Sequence, residues 1–82
     1  MELTVIICTY NPRREVIDQT LAALQAQTLA CAQWELLIID NASINGVPAA
    51  LDLSWHPHAR RVSEPTLGIA AARNRAFAEV LR

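Results

Sequence analysis

Two short polar segments have the side chains to bind a ligand. Thr9-Tyr10-Asn11 combines a hydroxyl, an aromatic face and backbone groups, and Asp40-Asn41-Ala42-Ser43 brings a carboxylate. Ionised Asp40 can accept hydrogen bonds from a ring N–H or from ribose hydroxyls. A third candidate lies at Gly68 and Arg73. A helix start preceded by glycine can receive an anion, and an arginine in its second turn adds a planar, permanent charge suited to phosphate. Each residue also has a plainer role open to it. Asp40 can cap the Asn41–Ser43 turn, Tyr10 can pack on the loop, and Arg73 can be a surface arginine. For Asn11 the plainer role, a helix N-cap, is the main one expected.

The elements before these segments decide between the readings. Thr9 directly follows the apolar run Leu3-Thr4-Val5-Ile6-Ile7-Cys8, and Asp40 follows Glu35-Leu36-Leu37-Ile38-Ile39. Both runs are short, continuous and rich in branched aliphatics, the pattern of strands buried on both faces. Between them, Asn11-Pro12 is a helix start, and Ile17, Leu21, Leu24 and Thr28 recur at helical spacing. The spacing predicts a helix over about 12–27, completing a right-handed βαβ unit with parallel strands. Ligands of open α/β sheets bind at the carboxyl ends of such strands. That placement favours a ligand role for Asp40 over a turn acid alone.

Beyond Ser43, Asn45-Gly46 is a turn element, 49–53 has room for a helical turn or two, and Trp55-His56-Pro57-His58 is a loop. Arg60-Arg61-Val62-Ser63 is a short, edge-like strand, its arginines a solvated pair. Ile69, Ala72, Ala76 and Val80 predict a final helix over about 68–82, with Arg75, Glu79 and Arg82 on its solvated outer face. His56 and His58 have no acid or serine fixed nearby and receive no catalytic role. The order β-α-β-short α-β-α, with no closing element, leads to the expectation of a truncated domain.

Composition narrows the chemistry. The 82 residues are 52% apolar with a net charge of −1, enough for a core and no basis for binding nucleic acid. Cys8 and Cys31 are too few for a disulfide scaffold, and Cys8 is expected as a small core residue in a reduced, cytoplasmic chain. All seven basic residues are arginine, so no Walker-type loop exists. Gly46 and Gly68 are the only glycines, too few and misplaced for a dinucleotide-binding turn. No acid pair or Cys/His set has metal-binding spacing.

In this order, Val5-Ile6-Ile7-Cys8-Thr9-Tyr10-Asn11, Thr20-Leu21, Gln27-Thr28, Trp34 to Ser43, and Gly68 with Ala72-Arg73-Asn74 resemble a family 2 glycosyltransferase. The resemblance implies an α/β fold with an open, mainly parallel, Rossmann-like sheet of GT-A type. It also implies inverting transfer of a sugar from a nucleoside-diphosphate donor (UDP- or GDP-type) to an acceptor hydroxyl. On matching positions, Thr9, Tyr10, Asn11 and Asp40 hold base and ribose, and Gly68 and Arg73 lie near the diphosphate, with Asn74 beside them. The family's Asp-x-Asp motif, which binds Mg²⁺ or Mn²⁺, and its general base have no counterpart in these residues. The resemblance therefore implies the N-terminal portion of a donor-binding domain, inactive alone and binding no metal. Two rivals stand beside it: a sugar-nucleotide nucleotidyltransferase and a non-catalytic nucleotide-binding or interaction module. An open sheet edge would favour self-association. Membrane association of the full protein is left open.

Overall fold

Four consecutive aliphatic side chains, Leu36 to Ile39, need apolar cover on both sides of any strand they form. In the computed structural model, which describes residues 3–80, all four are fully buried. They belong to β2 (Trp34–Asn41), which lies between β1 (Leu3–Thr9) and β3 (Ala59–Glu64) in a parallel three-stranded sheet. Helix α1 (Arg14–Gln25) and a 3-10 turn at Cys31–Gln33 connect β1 to β2. The single turn α2 (Val47–Ala50) leads to β3, and α3 (Ile69–Val80) follows it. The fold is the open parallel α/β arrangement expected.

Alternation along β2 divides the core. Trp34, Leu36 and Ile38 pack with Ile17 and Leu21 of α1 and with Leu51, joined by Val5 and Ile7. Leu37 and Ile39 point the other way, toward Ala72 and Ala76 of α3 and toward Val62. Helix α1 begins later and ends earlier than its apolar spacing suggests, leaving Thr28 outside it. Only the middle of the α3 stripe is covered. Ile69 at its start is 69% exposed, and Val80 is also open.

Strand β1 departs from the expectation of burial on both faces. Among the described residues it has no neighbour on one side, and Leu3 and Ile6 are exposed. Cys8 is likewise exposed rather than a core residue. Neither cysteine is bridged. No helix among the described residues is long and apolar enough to cross a membrane.

The arginines of β3 stay open to solvent in part but do not act as a pair, because neighbouring residues of a strand face opposite sides. Arg60 points to α3, where Nη1 donates to Glu79 Oε1 at 2.8 Å and Nη2 to the Glu79 carbonyl at 3.0 Å. Arg61 points to the opposite layer and donates to the carbonyls of Pro48 and Leu51, at 2.8 and 3.0 Å. Glu79 is buried, not on a solvated face, and also meets Arg75 Nε at 3.2 Å. A buried carboxylate requires such partners, and the two guanidiniums supply them. Arg82 lies outside the described residues.

His56 is buried against the Trp34 ring, with centroids 4.3 Å apart in a T-shaped contact. Its Nδ1 accepts the His58 N–H at 2.9 Å, so the neutral ring carries its proton on Nε2. Burial, and secondarily the charge of His58, holds its pKa below the ordinary value of 6.5. The neutral ring's stabilisation is therefore complete above pH 6.5 and is lost as pH falls through the lowered folded value. Melting temperature should drop as pH is lowered from 7.5 to 5.5. His56→Asn, which keeps an acceptor near the Nδ1 position, should flatten that dependence; an unchanged slope would place its origin elsewhere.

Candidate functional site at the carboxyl ends of the strands

Thr9 and Asp40 are partners in the β1–β2 register, so the two polar segments leave the sheet side by side. Both strands end in tight reversals. Asn11 and Ala42 have left-handed backbone, with φ of 42° and 62°. For an alanine that region costs roughly 1–2 kcal/mol, so the surrounding bonds must hold the turn. Ser43 N–H donates to Asp40 Oδ1 at 3.1 Å, and Ala42 N–H to the Asp40 carbonyl.

Asn11 does not cap α1. The N-cap position is Arg13, which makes no side-chain cap bond. Instead Asn11 Oδ1 accepts N–H bonds from Ile44 at 2.7 Å and Asn45 at 3.2 Å, while Asn11 N–H donates to Ser43 Oγ at 2.8 Å. Asn45 Nδ2 closes the link by donating to the Pro12 carbonyl. The end of β1 is thus fastened to the loop after β2. The loop offers better-placed donors than the helix start, because the left-handed turn at Asn11 directs its side chain across the sheet.

Asn41, to which the sequence reading gave no role, makes the corresponding link on the other side. It is buried, and its Nδ2 donates to the carbonyls of Thr66 at 2.7 Å and Glu64 at 3.2 Å. Its Oδ1 accepts the Gly68 N–H at 3.0 Å. Gly68 has φ of +136°, a conformation that side chains disfavour, and α3 begins at the next residue. The only sequence signal for Asn41 is its place beside Asp40.

A groove of about 220 Å³ opens between the β1 and β2 ends and the start of α3. Cys8, Thr9, Tyr10, Asn41, Gly68 and Ala72 are among its lining residues. Tyr10 is half exposed, so its ring is not buried in packing. Arg73 is exposed on α3, near enough that its charge acts on Cys8. Partial burial raises the Cys8 thiol pKa, and the guanidinium pulls it part of the way back. Asp40 and Asn11 are not lining residues. Asp40 leaves β2 on the opposite face from Asn41, under the 43–45 loop, and among the described residues only Oδ1 is used in a hydrogen bond. The structure therefore brings Thr9, Tyr10 and Gly68 together, sets Arg73 nearby, and places Asp40 and Asn11 beside Thr9 at the adjoining edge.

The groups at this edge are of the kinds that can meet a polar, flat ligand and an anion. Asp40 supplies acceptors and Tyr10 a flat face, while the α3 N-terminus and Arg73 supply positive potential. The chain is similar to the mannosyltransferase PcManGT from Pyrobaculum calidifontis, whose structure is in complex with GDP-Man and Mn²⁺. Identity is 31% and the TM-score 0.79, over 94% of this chain and 24% of that one. This chain thus spans about a quarter of the length of that relative. No curated protein matches it. Residues 4–81 match the profile of Glycosyl transferase family 2. A match of that extent, on a parallel sheet with this carboxyl edge, makes the chain a member of glycosyl transferase family 2.

Proposed function

We propose that the carboxyl edge of this sheet is the nucleotide end of a sugar-nucleotide donor site. The complete enzyme would transfer a sugar from a UDP- or GDP-type donor to an acceptor hydroxyl, with inversion. The observation that carries this reading is the convergence of the β1 end, the β2 end and the α3 start on one edge. Thr9, Tyr10 and Asp40 are assigned to base and ribose. Asn11 shapes that subsite by holding the 43–45 loop, and Gly68 and Arg73 face the diphosphate. The GDP-Man in the similar mannosyltransferase supports a nucleoside-diphosphate sugar as the ligand class.

The residues described do not fit a divalent cation: no group of three His, Cys, Asp or Glu side chains among them could hold a metal ion. No step is therefore assigned to a metal in this chain, and no catalytic base either. On this reading, the chain is the N-terminal part of a larger GT-A domain, with its Mg²⁺ or Mn²⁺ ligands in the remainder, and is inactive by itself. The exposed β1 edge supports this, since a further strand would cover it; left open, it offers a surface for self-association. The unbridged cysteines agree with a cytoplasmic location.

Titrating the chain with GDP and with UDP, with and without Mn²⁺, tests the assignment. Weak, saturable binding of at least one nucleotide is expected, with its affinity nearly unchanged by the metal. Strong dependence on Mn²⁺ would contradict the division of the site. The second reading, a non-catalytic module, is favoured by the missing metal group. Extending the coding sequence past Arg82 separates the two, because only the transferase requires an acid pair downstream.

A further inference from the structure

We propose that Asn41 is a positioning residue that sets the diphosphate end of the donor site, an inference that rests on the donor reading above. Among the described residues, its amide alone bonds the segment from Glu64 to Gly68 at three backbone points: the carbonyls of Glu64 and Thr66 and the N–H of Gly68. Both Nδ2 donors and one of the two Oδ1 acceptor directions are used, which leaves Asn41 a single acceptor direction to offer a ligand. It acts on binding through the loop it holds.

The consequence is geometric. Gly68 is the last residue before α3, and its carbonyl accepts the Ala72 N–H, closing the first turn of the helix. The position of Gly68 thus fixes where the open N–H groups at the start of α3 point. It also fixes where Arg73, in the next turn, stands relative to the groove. Asn41 itself is held by β2, whose Leu36 to Ile39 side chains are fully buried. A rigid strand therefore transmits its register to an exposed anion-facing turn through one side chain. Asn11 does the equivalent for the loop beyond Asp40, so two asparagines hold the two ends of the proposed site independently. Disturbing Asn41 should affect the diphosphate end and spare the nucleoside end.

Two variants test this by different routes. Asn41→Asp retains an acceptor for Gly68 N–H but replaces both donated bonds with repulsion between a carboxylate and two carbonyls. Gly68→Ala leaves Asn41 intact. A Cβ there meets nothing within 4 Å, so only the unfavourable φ of +136° acts, shifting the turn without crowding. NMR titrations of wild type and both variants use GDP with guanosine and UDP with uridine, with folding followed in the same spectra. For the nucleotide that binds, both variants should lose about tenfold or more in diphosphate affinity, on the scale expected of a small misplacement, with nucleoside affinity held within about twofold. Parallel loss of nucleoside and diphosphate would make Asn41 a purely structural residue and overturn the inference. So would unchanged diphosphate binding in either variant. If Asn41→Asp does not fold, Asn41→Ala, which removes all three bonds and adds no charge, takes its place and is read against the same outcomes. A wild type that binds nucleoside but gains nothing from the diphosphate overturns the inference while leaving the nucleoside subsite standing. A wild type that binds neither removes the donor reading, and the inference with it.

Discussion

Asp40→Ala should weaken nucleotide binding by roughly ten- to a hundredfold, the loss expected when a ligand N–H or hydroxyl no longer meets a charged acceptor. The position serves two purposes, and a second variant separates them. Oδ1 accepts the Ser43 N–H and so helps hold the turn that forces Ala42 into the left-handed region. Asp40→Asn keeps a carbonyl oxygen for that bond but removes the charge and half the acceptor capacity offered to a ligand. If Asp40 binds the nucleotide, the asparagine variant should melt near wild type yet bind several-fold more weakly. If it is only a turn acid, the asparagine variant should bind normally. Titration calorimetry combined with thermal melts distinguishes these outcomes.

The largest stability effect should come from Ile38→Ala. Ile38 is fully buried in the layer that joins β2 to Ile17, Leu21 and Leu51, and β2 is the only strand paired on both sides among those described. Removing a large aliphatic side chain from such a site costs about 2–5 kcal/mol, because the lost transfer energy is joined by that of the cavity. For a domain of this size, total stability is only about 4–12 kcal/mol, so the variant should be near the edge of folding. A urea melt should show the midpoint falling by more than about 1 M. Ile6→Ala, on the exposed edge strand, should move the midpoint far less. Equal effects would mean that β2 is not the centre of the core.

The contrast between these two strands shows where the sequence is informative. Runs such as Leu36 to Ile39 declare a strand with cover on both faces, and the α1 stripe at Ile17 and Leu21 declares the layer that provides it. The β1 run looks the same in sequence, yet Ile6 and Cys8 are open because neighbours, and not side-chain type, determine an edge. The polar strand ends were legible for the same reason as the strands: an abrupt change from aliphatic to small polar residues marks where the sheet stops. What those polar residues do there was not legible. Asn11 before a proline has the local signature of an N-cap, but its partners are Ile44 and Asn45, 33 and 34 residues away. Asn41 similarly finds partners at Glu64, Thr66 and Gly68.

Arg75 and Glu79 illustrate the same failure in a helix. Their spacing of four reads as a solvated outer face, and only the arrival of Arg60 from β3 makes Glu79 a buried centre. Local spacing determines which residues share a face of an element. It does not determine whether another element lies across that face.

The donor-site account is tested most directly by mapping the amide shifts of the chain as GDP and then UDP are added. It predicts saturable shifts with one nucleotide, concentrated at Thr9 and Tyr10, at Asp40 to Ser43, and at Gly68 to Arg73. The absence of any saturable shift would contradict it. So would shifts gathered instead at the apolar groove lined by Leu3, Leu24, Leu29 and Trp34, on the opposite end of the sheet.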